Sequence, residues 1–146
     1  MYEGLIRLIE QRKVSFPPFG SGVSETAILN AESELNVRFP PSYRWWLLNF
    51  GGGQLGQDLV FGIDEAEIGA PDVTKLNKTD LVDGLRQSHE IMFYIGNEER
   101  FFFDTSRRTA LGEFPICHRI YGEEKNYEYS RTFDEFLWKR ISELYS

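Results

Sequence analysis

The sequence is short of the residue types that carry most enzyme chemistry. It has one cysteine, Cys117, and two histidines, His89 and His118. A single cysteine cannot close an intramolecular disulfide, so ordinary packing must hold the chain, as in a reducing compartment. No apolar run approaches the roughly 18 residues of a membrane span. The opening stretch, Met1 to Arg7, lacks the basic and apolar regions of a secretory leader. A cytoplasmic location is therefore expected, and no membrane contact. Asn77-Lys78-Thr79 spells a glycosylation sequon, which without a leader reads as coincidence.

Metal-ligand spacings are missing too. Neither C-x-x-C nor H-x-x-x-H occurs, and Cys117 and His118 are neighbours that a strand would point to opposite faces. No metal site is expected. Gly51-Gly52-Gly53-Gln54-Leu55-Gly56 matches G-x-G-x-x-G in letters. A dinucleotide fingerprint needs a strand before it and a helix after it, so that the helix N-terminus meets the pyrophosphate. Here an amphipathic helix precedes and a strand follows. The glycines read as a helix stop and a tight turn, and no cofactor is expected. Glu98 and Glu99 form a carboxylate pair, but in a hairpin turn water would leave their acidity ordinary. No catalytic residue is assigned, and an enzyme is not expected.

What is present is a globular composition. The 146 residues include 41% hydrophobic and 15% aromatic side chains, enough for one domain, residues 1–146, with its own core. Net charge is −7, and its placement is uneven. Asp58 to Asp104 holds eleven acids against four bases; elsewhere acids and bases balance. Direct nucleic-acid binding would call for the opposite sign. An acidic patch attracts a basic partner, or simply keeps a face solvated.

The periodicity gives an order of helices, then strands, then a helix. Tyr2 to Lys13 carries Leu5, Leu8 and Ile9 on one stripe. Phe16 to Gly22 is a Pro/Gly loop. Ser24 caps a helix through Leu35, and Asn36 suits a left-handed stop. Pro41 opens a helix whose Tyr43, Trp46, Leu47 and Phe50 share a face. Trp45 lies off that face, as a second packing surface or a partner anchor. Strands are expected at Asp58–Ile63, Ile91–Ile95, Arg100–Asp104, Pro115–Ile120 and Asn126–Ser130. Ala66 to Glu90 reads as a long loop with short helical pieces. Thr132 and Glu135 have capping-box spacing before a closing helix with Phe133, Phe136, Leu137, Ile141 and Leu144 on one stripe. This order is an α+β fold with a mainly antiparallel sheet.

Several of these segments resemble one family. Ile28-x-x-Ala31-Glu32-x-x-Leu35, Phe39-Pro40-x-x-Tyr43-x-x-Trp46-Leu47 and Phe50-Gly51-Gly52-Gly53 are similar to the signature of the SUKH superfamily, which includes Smi/Knr-type cell-wall regulators and bacterial toxin-immunity proteins. Phe101 to Ser106, Gly112 to Ile116 and Thr132 to Leu137 resemble its later strands and final helix. Phe39 stands where leucine is usual, and the glycine run is longer than the usual Asn-Gly-Gly. The resemblance implies a twisted sheet of six strands packed with helices. It also implies an immunity protein that binds the toxin domain of a polymorphic toxin, often a nuclease. The alternative is a non-catalytic regulatory adaptor. Charge complementarity with a basic toxin groove then points to Asp64, Glu65, Glu67, Glu98 and Glu99 as partner-binding residues, with Trp45 as an aromatic candidate.

Overall fold

The computed structural model describes residues 2–16 and 21–145. Part of the expected Pro/Gly loop, residues 17–20, lies outside them. The chain begins with three helices: α1 (Glu3–Gln11), α2 (Glu25–Leu35) and α3 (Pro41–Asn49). Their ends follow the chemistry expected of them. Ser24 Oγ accepts from Ala27 N at 3.1 Å, and Asn36 stops α2 in the left-handed region at φ 52°. Pro41 opens α3 with no side-chain cap of its own. The missing acceptor comes from far along the chain: Glu113 accepts from Ser42 N at 2.9 Å and from Ser42 Oγ at 2.7 Å. Ser42 Oγ accepts in turn from Phe133 N at 3.2 Å. One buried serine thus ties the starts of two helices together.

Six strands follow in a continuous antiparallel meander: β1 (Gly53–Leu55), β2 (Asp58–Val60), β3 (Glu90–Ile95), β4 (Glu99–Asp104), β5 (Ile116–Ile120) and β6 (Asn126–Ser130). The α+β expectation and the six strands implied by the resemblance both hold. The closing helix α5 (Phe133–Leu144) is capped by Thr132 Oγ1, which accepts from Glu135 N at 3.2 Å.

Two elements differ from the sequence expectation. The glycine run does more than turn, because Gly53 already pairs with Val60 in β1. The stretch expected to be mostly loop contains a ten-residue helix, α4 (Val73–Val82). Its buried positions are Val73, Thr74, Asn77 and Asp80. They recur at helical spacing but three are polar, so no apolar stripe betrays them.

Helices α3 and α5 lay their aromatic rings on one face of the sheet, and α1 packs against α5. Tyr43, Trp46, Phe93, Phe101, Phe103, Phe133 and Phe136 are each 0–1% exposed and form the aromatic centre of that face. A register shift between Met92 and Tyr94 inserts one extra residue in β3. Phe93 and Tyr94 consequently both reach the core, where each meets Phe136 edge-on. The opposite face holds a small apolar cluster of Met92, Phe102 and Cys117. Paired arginines overlie it: Arg119 sits 5.4 Å from the Phe102 ring and 2.6 Å from Glu90, and Arg100 lies 2.9 Å from Asp80.

β2 is too short to cover β3 fully, and α4 fills the gap. The Asn77 amide donates to Met92 O at 2.8 Å and accepts from Met92 N at 2.8 Å, as a neighbouring strand would. Its second N–H donates to Val73 O at 2.8 Å. Among the described residues no helix is long and apolar enough to cross a membrane.

Candidate functional site

The acids expected to meet a partner fall in separate places. Three of them, Asp64, Glu65 and Glu67, lie on the turn that connects β2 to α4. This turn is tightly held. Asp64 Oδ1 accepts from Ile68 N at 3.1 Å, and Oδ2 from Gly69 N at 2.9 Å. Asp72, the N-cap of α4, accepts from Thr74 N at 2.9 Å, Lys75 N at 3.0 Å and, through its other oxygen, from Asp64 N at 2.9 Å. Every carboxylate oxygen of this pair has a backbone donor. An amide could not replace either group, because one of its two ends donates.

Asp64 was expected on the surface, but it is buried, 7% exposed. A loop reads as solvated in sequence; here the carboxylate folds back to satisfy its own turn. Glu65 is exposed and caps α2 from outside: it accepts from Ser24 N at 2.9 Å and from Ser24 Oγ at 2.5 Å. Those bonds, the hydroxyl first and the backbone N–H second, hold its carboxyl below the usual range. Glu67 is exposed, in the left-handed region at φ 55°.

These three acids line one wall of an open cleft of about 680 Å³ between α2 and α4, with Glu34 and Asp72 among the other lining groups. Against these five acids stand Lys75 and Lys78, and Lys78 already lies 3.4 Å from Glu34. Backbone N–H groups orient Asp64 and Asp72 but carry no net charge to cancel theirs. The turn therefore keeps a strong negative field although its acids are structurally engaged. Asp72 is a fourth acid of this turn, beside the three expected ones. Its position immediately before Val73-Thr74-Lys75 is the N-cap signal that could have revealed it.

Glu98 and Glu99 belong to the β3–β4 hairpin. Glu98 is exposed. Glu99 was expected to be fully solvated there, but its side chain is 21% exposed and lies 2.5 Å from His118 Nδ1. It borders a buried network centred on Arg140. The guanidinium lies 2.9 Å from Asp58, 3.1 Å from Glu143 and 3.7 Å from Glu99, and donates to Tyr94 Oη at 3.2 Å. The Tyr94 hydroxyl donates to Asp58, and burial together with this bond pushes its acidity far outside the physiological range. Trp45 is half-buried; its ring stacks on Tyr2 at 4.2 Å and meets Phe50 edge-on at 6.0 Å. It shares no lining with the acidic cleft.

Candidate catalytic groups are not brought together. Cys117 faces the apolar cluster under the arginines, while His118 stacks on Phe101 on the helix-covered face. Burial raises the Cys117 thiol, only partly opposed by Arg107. Among the described residues no group of three or more His, Cys, Asp or Glu could hold a metal ion.

Comparison with known proteins gives a family and a fold. A SUKH family model described as SMI1-KNR4 cell-wall matches residues 25–137. That span runs from α2 to the middle of α5. A crystal structure of a protein from Pseudomonas syringae pv. tomato is similar at a TM-score of 0.61 and 15% identity, covering 92% of this chain and 95% of that one. At that identity the likeness shows the fold alone. No curated protein matches.

Proposed function

Because the chain belongs to the SMI1-KNR4 cell-wall family of SUKH domains, we infer that it acts by binding: it neutralises a cationic, nuclease-like toxin domain as a stoichiometric immunity protein in the cytoplasm. The observation that carries this reading is the acidic turn between β2 and α4. Asp64, Glu65, Glu67 and Asp72 lie within nine residues, and no Lys, Arg or His occurs between Arg44 and Lys75. A nuclease must present cations to its phosphate substrate. A net negative surface suits that groove and speeds encounter with it. Glu98 lies apart, on the β3–β4 hairpin, as a second acidic candidate, and Trp45 is the aromatic candidate. The role needs no turnover, cofactor or nucleic acid of its own.

Co-expression tests the reading. A toxin domain encoded beside this protein should kill cells alone and be tolerated when the two are made together. Purified, they should associate one to one, with an association rate that falls steeply as salt rises. Continued killing, or mixtures that elute as separate species, would sink it.

A further inference from the structure

The acidic turn has a second wall. Ile68, Gly69, Ala70 and Pro71 face a groove of about 490 Å³, closed on the sheet side by Gln54, Leu59 and Phe61. Its volume falls within the usual range for small binding pockets. Ile68 is 62% exposed, although side-chain carboxylates hold the backbone of its turn. The two Asp64 oxygens fix the N–H groups of Ile68 and Gly69, and Asp72 fixes Asp64. An apolar side chain is thus held in water by its own backbone. On the far side of the same turn lie Glu65 and Glu67.

We propose that this groove is the anchor site for the cationic partner: it receives one apolar side chain of a segment in which lysines or arginines flank that side chain. The proposal rests on the binding role inferred above and names the feature that would give it affinity. Charge alone brings partners together quickly but holds them loosely, whereas desolvated apolar anchors slow dissociation. A rigid turn favours binding because little ordering remains to be done when the partner arrives. The carboxylates across the turn, Glu65 and Glu67, select the occupant by the charge of its flanking residues. A second copy would bring the same acidic turn, on a chain of net charge −7, against this one. An anionic lipid surface would be repelled for the same reason.

Two synthetic peptides separate anchor from charge: Gly-Lys-Arg-Leu-Arg-Lys-Gly, and the same peptide with serine in place of leucine. Titrated into ¹⁵N-labelled protein at low salt, the leucine peptide should bind about tenfold more tightly. Only that peptide should shift the amides of Leu59, Ile68 and Ala70. Ile68→Ser should abolish the difference while leaving the serine peptide unaffected. Equal affinity of both peptides would overturn the anchor but leave the acidic-surface reading standing. Failure of both to bind would count against both ideas. Sedimentation gives the remaining arm: a self-associated protein that Ile68→Ser makes monomeric would mean that a second copy fills the groove.

Discussion

Two regions of this protein concentrate carboxylates, and they treat them in opposite ways. Around Arg140, Asp58 and Glu143 are matched by a guanidinium at 2.9 and 3.1 Å, an ion whose positive charge offsets part of theirs. In the turn from Asp64 to Asp72, backbone N–H groups do the matching. Hydrogen bonding satisfies these oxygens, but their charge still reaches solvent. A carboxylate can therefore serve the fold and the surface potential together, provided that its partner is a dipole and not an ion.

Substitutions can test this contrast. The largest effect is expected at the ion-paired centre. Arg140→Leu strands Asp58 in a site where it is 9% exposed, and should cost about 3–5 kcal/mol in urea unfolding. Adding Asp58→Leu should recover much of the loss, because the charges are then removed together. Next comes the dipole-held pair. Asp64→Asn or Asp72→Asn turns a donor towards a donor and should cost about 1–3 kcal/mol. Amide exchange should quicken at Ile68 and Gly69 for the first, and at Asp64, Thr74 and Lys75 for the second. If either variant matched the parent in stability, the turn would not depend on its acceptors.

A smaller, pH-dependent effect is expected at Glu65. Its folded pKa lies below its unfolded value because Ser24 bonds the ionised form. Its contribution is complete above the unfolded carboxylate range and disappears as pH falls through the depressed value. Glu65→Gln should remove that part of the acid-side decline in thermal stability. The least effect on folding is expected at Glu67 and Glu98, both exposed. Glu67→Gln with Glu98→Gln should leave stability within about 0.5 kcal/mol while slowing association with a cationic partner at low salt. A large loss of stability would show that these acids, too, are structural.

The sequence carried the frame of the fold better than its surface. Helix ends at Ser24, Asn36, Pro41 and Thr132 were legible because each depends on the residue's own backbone chemistry. The hairpin of β3 and β4 was legible because aromatic strands flank Gly96 and Asn97. Helix α4 was hidden, since it is fixed by hydrogen bonds and not by an apolar stripe. Strand β1 was hidden because glycines also mark turns. At the candidate site the excess of acid was visible, but not which acids stay exposed. The fate of Asp64 depends on N–H groups four and five residues later, and that of Glu65 on a serine forty-one residues earlier. The groove beside Ile68 was invisible, because three separated segments form it.

The plug that completes β3 has a consequence for the sequon that contains it. Both N–H groups of the Asn77 amide are committed, to Met92 O and Val73 O, and the residue is fully buried. A glycan would have to be attached through that same nitrogen, replacing one of those protons and forcing a sugar into the space between helix and sheet. Folding and sugar attachment at this asparagine are therefore mutually exclusive. A chain modified there before it folds would lose the closure of its own sheet.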